Sequence, residues 1–122
     1  MIQPQTICTV IDNSGAKLAR CIGTLKNGRF AVVGDEISVV VSDTRPIGKG
    51  AAKVKRGDVM RAIVTRTRKE WQRPDGSWIK FDDNAIVITN KQQQMIGSEL
   101  TSAIAKEAQC KWPDVFKYAK VI

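Results

Sequence analysis

The sequence has no histidine. General acid–base catalysis at neutral pH relies on that side chain more than on any other, so most enzymatic designs lack their usual proton carrier here. A zinc site suffers as well. The three cysteines, Cys8, Cys21 and Cys110, show no CxxC spacing, and no fourth ligand stands in a recognisable pattern. An odd number of scattered cysteines also argues against a secreted disulfide framework and for a reducing compartment. They read as three small buried hydrophobes, and neither metal nor cofactor is expected. Aromatic residues are only 6% of the chain, without an RNP-type pattern, which argues against a sequence-reading RNA module. No apolar run reaches the ~18 residues of a membrane span. Met1-Ile2-Gln3-Pro4-Gln5 has neither a basic nor an apolar region, so no cleaved targeting signal is visible.

What is abundant is positive charge, and it is confined. The chain has 122 residues, enough for a single domain with a modest core. Its formal net charge is +8. Arg45 to Lys80 holds 11 of the 20 Lys and Arg residues but only three carboxylates, Asp58, Glu70 and Asp75, so this segment alone accounts for the +8. The remainder is neutral. Such confinement points to a polyanionic partner rather than to general solubility.

Short β-rich runs alternate with turns. Thr6 to Ile11 reads as a strand, followed by the turn cluster Asp12-Asn13-Ser14-Gly15. A second strand runs from Ala16 to about Leu25. Asn27-Gly28 reads as a two-residue hairpin turn and Gly34-Asp35 as another turn. Glu36 to Ser42 and Val59 to Thr67 are further strands. Between them, Asp43 to Gly57 is a cation-filled loop of about fifteen residues, a length that suits binding. Trp71 to Phe81 reads as a hairpin around Arg73-Pro74-Asp75-Gly76, which would set Trp71 opposite Ile79 and Glu70 opposite Lys80. Ala85 to Thr89 is one more strand. Leu100, Ala103, Ile104 and Ala108 then fall at helical spacing, with Ser98 as a cap, and a second short helix is expected from Pro113. Short, regularly spaced strands suggest a small closed barrel with a C-terminal helical part. The chain is expected to divide into a barrel over about 1–90 and that helical part over about 97–122.

Catalytic constellations are weak. Ser14-Gly15-Ala16-Lys17 matches an SxxK pattern, but it sits in a turn, where lysine does not come back to serine. Asp82 and Asp83 are neighbours and would point apart on a strand. Gly23 to Arg29 spaces two glycines like a phosphate loop but lacks its Lys-Ser/Thr. Phosphate binding is better supplied. Arg66 and Arg68 would share a strand face, and Arg45, Lys49, Lys53, Lys55 and Arg56 fill the loop before them. Trp71 and Trp78 either stack on unpaired bases or pack within the protein.

Several stretches are recognisable. Ala62-Ile63-Val64, Asp75-Gly76, Phe81, Asn84 and Val87-Ile88 fall at signature spacings, and Met1-Ile2-Gln3, Asp12 to Ala16 and Lys55 to Val59 fit as well. Over residues 1 to about 97 the chain resembles the fourteenth family of large-subunit ribosomal proteins. That resemblance implies a mainly β fold, a five-stranded β-barrel with a projecting hairpin and a short C-terminal helical part. It implies a non-catalytic structural protein that binds large-subunit ribosomal RNA near the subunit interface. It also implies contact with the neighbouring protein of the nineteenth family and a bridge to small-subunit RNA, with no membrane or small-molecule substrate. RNA contact carries over to Lys17, Arg20, Lys55, Arg56, Arg66, Lys69, Arg73 and Lys80. A free-standing RNA-binding module that blocks subunit joining is the rival reading. Departures from the pattern are Thr65 at an aliphatic position, an insertion over Gly48 to Lys53, and Glu99 with Thr101-Ser102-Ala103 in place of Arg and Phe-Gly-Pro. They point to an organellar member, in the first place mitochondrial, with the bacterial cytoplasm or a plastid as the alternatives.

Overall fold

A computed structural model of the chain describes residues 2–25, 28–44, 54–97, 100–117 and 119–122. Five strands close a barrel in the order β1 (Ile7–Val10), β2 (Ala16–Thr24), β3 (Glu36–Thr44), β4 (Val59–Arg66) and β7 (Ala85–Thr89). Neighbours run antiparallel except β1 and β7, whose parallel pairing makes the closure. β5 (Trp71–Gln72) and β6 (Trp78–Ile79) form a separate two-stranded ribbon, and α1 (Lys106–Lys111) lies near the C-terminus. The barrel and the ribbon register expected from the sequence are both present, with Trp71 opposite Ile79.

Alternation fills the barrel. On β3, Ile37, Val39 and Val41 point inward, where they meet Val10, Ala62, Val64, Ile86 and Ile88. On β2 a register shift between Leu18 and Ala19 breaks the period of two, so that Ala16, Ala19 and Cys21 all turn inward. β7 is buried along its whole length. Its alternate residues serve two cores: Ile86 and Ile88 face the barrel interior, while Ala85 and Val87 join Ile63, Ile104, Ala108 and Phe116 beneath the C-terminal segment.

That segment departs from the expected helix. Residues 100–105 form no helix because several of their backbone groups are already bonded elsewhere. Thr101 N donates to Ile11 O at 2.7 Å, Ala105 N to Thr65 O at 3.0 Å, and Ile104 N to Lys120 O at 2.9 Å. Helix begins only at Lys106, with Ala105 as an extended N-cap lacking a side-chain cap. Glu107 in its first turn and Lys111 in its last suit the helix dipole. Pro113 opens a turn instead of a second helix, although Phe116 is buried as its spacing suggested. The expected cap Ser98 lies outside the described residues, as does Asn27.

A second departure lies between β2 and β3. Residues 28–35 make no strand; Ala31 instead exchanges backbone bonds with Ile2 at 2.7 and 2.8 Å, closing one end of the barrel. Thr65, foreign to the aliphatic pattern, is buried without cost to its hydroxyl, which donates to Ala85 O at 3.0 Å. It sits at the register shift between Val64 and Arg66, which leaves its carbonyl free to receive Ala105 N. The cysteines are not alike. Cys8 and Cys21 are buried, but Cys110 is exposed, which corrects the expectation of three buried thiols. Burial pushes the Cys8 thiol up to about 12, with the nearby Cys21 adding to the rise, so Cys8 stays protonated and unreactive.

Gly97 is fixed by space. A Cβ there would stand 2.5 Å from Asn13 Oδ1 and 3.1 Å from the backbone nitrogens of Asn13 and Ser14. Gly97→Ala should therefore lose about 1–3 kcal/mol of stability, seen as a lower urea midpoint at unchanged slope. An unchanged midpoint would mean that the Asn13 turn yields freely.

Candidate nucleic-acid interface

The backbone presents the expected cations in three ways. Lys55 and Arg56 are exposed in a tight turn closed by Asp58 N to Lys55 O at 3.1 Å and Lys55 N to Asp58 Oδ2 at 2.9 Å. Gly57 takes the left-handed φ of +91° that such a turn requires at its third position. The turn is bolted to the barrel by Gly57 N to Val41 O at 2.8 Å and Val41 N to Asp58 O at 2.9 Å. These two cations therefore sit on a rigid frame, which positions phosphate contacts without reading sequence.

Lys17 and Arg20 project outward from β2 and are exposed. Registry puts Arg20 between Ile7 of β1 and Val40 of β3, and Val40 next to Val59 of β4. Ile7 and Val59 are also exposed, so this outer row is a cation set among apolar side chains. Arg68 and Lys69 are exposed just beyond β4, where Arg68 N donates to Asn84 Oδ1 at 2.9 Å. Lys69 pairs with Glu70 at 3.1 Å, but both are open to water, and such a pair is weak. A hydrogen bond from its own backbone N–H, then the hydrogen bond and charge of Lys69 and, to a smaller degree, the charge of Lys80 hold the Glu70 carboxyl below its ordinary range. Lys80 is exposed at the end of the ribbon.

Arg66 and Arg73 behave differently. Arg66 Nη2 lies 3.1 Å from Asp83 Oδ2, and its side chain is only 15% exposed. It does not share an open strand face with Arg68, because β4 ends at Arg66. Arg73 Nε lies 2.8 Å from Glu107 Oε1, and its Nη2 donates to Ile122 O at 2.8 Å. Both guanidinium groups thus act as internal ties, one to the approach to β7 and one from the ribbon to the C-terminal part. Arg61 is likewise tied, to Glu36 at 2.9 Å. Arg45, Lys49 and Lys53 lie outside the described residues. Arg29 and Lys91 are exposed cations that the segment count passed over, because neither lies in the charged stretch.

The two ribbon tryptophans part company. Trp71 is half-buried and stacks on Phe81, ring centroids 6.0 Å apart at 30°. Trp78 is 65% exposed. Among the described residues the Ser14 and Lys17 of the SxxK pattern are not brought together. The Ser14 hydroxyl is buried and donates to Asp12 Oδ1 at 2.6 Å, whereas Lys17 faces solvent. Among the described residues no group of three metal-ligating side chains converges.

The family described as ribosomal protein L14p/L23e matches residues 1–122, the whole chain. The large ribosomal subunit protein uL14m of Schizosaccharomyces pombe is 46% identical over 113 residues, which is 91% of this chain and 90% of that protein. The match extends through the C-terminal part, where the sequence pattern alone had faded, and the chain belongs to the ribosomal protein L14p/L23e family.

Proposed function

We propose that the outward cations Lys17, Arg20, Lys55, Arg56, Arg68, Lys69 and Lys80 hold ribosomal RNA by its phosphates. The chain is a structural constituent of the large ribosomal subunit, as the family match over its whole length supports. Its setting is the mitochondrial ribosome, as the uL14m relative supports. The observation that carries the RNA reading is the sorting of cations. Within the charged segment Arg61, Arg66 and Arg73 are met by carboxylates of the chain, while Lys55, Arg56, Arg68 and Lys80 remain exposed. Arg45, Lys49 and Lys53 belong to the same proposed surface by sequence alone. Arg66 and Arg73 serve it by holding the frame, and any phosphate contact of theirs would be through the edge left open.

The role is non-catalytic. The surface lies near the subunit interface, beside a protein of the nineteenth large-subunit family, and reaches small-subunit RNA across that interface. Barrel and C-terminal part act together as one domain. Sedimentation tests this. A tagged chain expressed in mitochondria should travel with large subunits through a high-salt wash. A chain that washes off and is recovered free at the top of the gradient would instead be a separate module that occupies the subunit-joining surface.

A further inference from the structure

The ribbon has two unlike faces. Trp71 and Ile79 point towards the body, and Trp71 meets Phe81 there. The other face carries Gln72, Trp78 and Lys80, all exposed. Trp78 sits opposite Gln72 in the register and two residues before Lys80, so a cation flanks the indole on its own side. The Trp78 ring N–H has no hydrogen-bond partner among the described residues, so it adds nothing to the fold.

The mount is stiff although it is short. Asp75 Oδ1 accepts Ser77 N at 2.9 Å and Ser77 Oγ at 2.6 Å, and Gly76 at φ +93° closes the tip. Arg73 ties the ribbon to Glu107 and to Ile122. An isolated two-stranded hairpin would be marginal, so these ties hold the exposed indole in place. An exposed aromatic ring beside a cation on a fixed frame is the arrangement by which proteins grip unpaired bases: the ring covers the base and the ammonium meets the phosphate. A base-paired helix offers no open base face to it.

We infer that Trp78 is a stacking platform for an unpaired nucleotide of RNA. This rests on the RNA-binding reading above and adds a site for one base, outside the phosphate contacts of the barrel. The test uses the full chain with two probes, a single-stranded adenosine homopolymer and an RNA duplex of matched length. Trp78→Ala should lower affinity for the single strand about tenfold to a hundredfold, and Trp78→Phe should recover most of it. Duplex affinity and the salt slope should stay as in the parent, because no charge is removed. The thermal midpoint of both variants should match the parent, since the indole is exposed. Single-strand affinity unchanged in Trp78→Ala, with the parent still binding both probes, would overturn the stacking role alone and leave the ring as an anchor for protein. A parent that binds neither RNA would overturn the RNA reading, and this inference with it.

Discussion

Replacing Asp12 with alanine should destabilise the fold by about 3–5 kcal/mol, the largest loss expected from any single truncation in the turn regions. Asp12 is 1% exposed. One carboxylate oxygen accepts Ser14 N at 3.1 Å and Ser14 Oγ at 2.6 Å, and the other accepts Ile88 N at 3.1 Å. Its backbone also bridges to Leu100. The side chain thus closes the β1–β2 turn and fastens that turn to β7, while the backbone bridge meets the start of the C-terminal segment. Alanine would strand buried donors on two elements, which costs more than the bonds themselves were worth. Asparagine keeps the shape but turns a donor towards a donor at one of the two positions, so it should recover less than half of the loss. In a chain of this size the alanine variant should melt about 10–20 °C lower. By contrast, Asp75 makes the same pair of bonds to Ser77 at an exposed ribbon tip, and its truncation should cost little. A D12A variant within about 1 kcal/mol of the parent would show that water reaches those donors after all.

The barrel was legible because strands announce themselves by alternation and turn chemistry. Ile37, Val39 and Val41 face inward as their spacing predicts, and Gly76 closes the ribbon where the Pro-Asp-Gly run placed it. The C-terminal part was not legible, for a definite physical reason. Leu100, Ala103, Ile104 and Ala108 have helical spacing, yet Ile104 and Ala105 give their backbone donors to Lys120 and Thr65, residues distant in sequence. No local window contains those acceptors, and tertiary bonding overrode propensity. The loop after β2 failed similarly, because Ala31 pairs with Ile2 rather than with a neighbouring strand.

The interface shows the same division. Counting charges along the sequence found the basic segment but could not find the partners of its cations. Glu36, Asp83 and Glu107, which meet Arg61, Arg66 and Arg73, all come from outside that segment. The surplus of charge was correctly located, yet its most rigid arginines turn out to be structural ties. Lys17 and Arg20, from the neutral remainder, take outward positions instead. The charge that RNA would meet still comes mostly from the linear segment, thinned by its tied arginines and joined by Lys17 and Arg20 of β2.

That sorting leads to the largest functional effect expected here. Replacing Lys55, Arg56, Arg68 and Lys69 together with glutamine should lower affinity for folded RNA between ten- and about a thousandfold near 0.1 M salt, and should flatten the salt slope by roughly three to four units. Each of the four is exposed, so the fold should keep its melting midpoint. Unrelated folded RNAs should lose affinity by similar factors, because phosphate contacts carry no sequence information. Arg66→Ala and Arg73→Ala should behave oppositely. They strip a partner from Asp83 and from Glu107, so they should lower stability while leaving the salt slope close to the parent's. Titrations at several salt concentrations, each paired with a melt, separate the two groups. If Arg66→Ala flattened the slope as much as Lys55→Gln and left the midpoint untouched, the tied arginines would be phosphate contacts. If the fourfold variant kept the full slope, RNA would lie against some other face of the barrel.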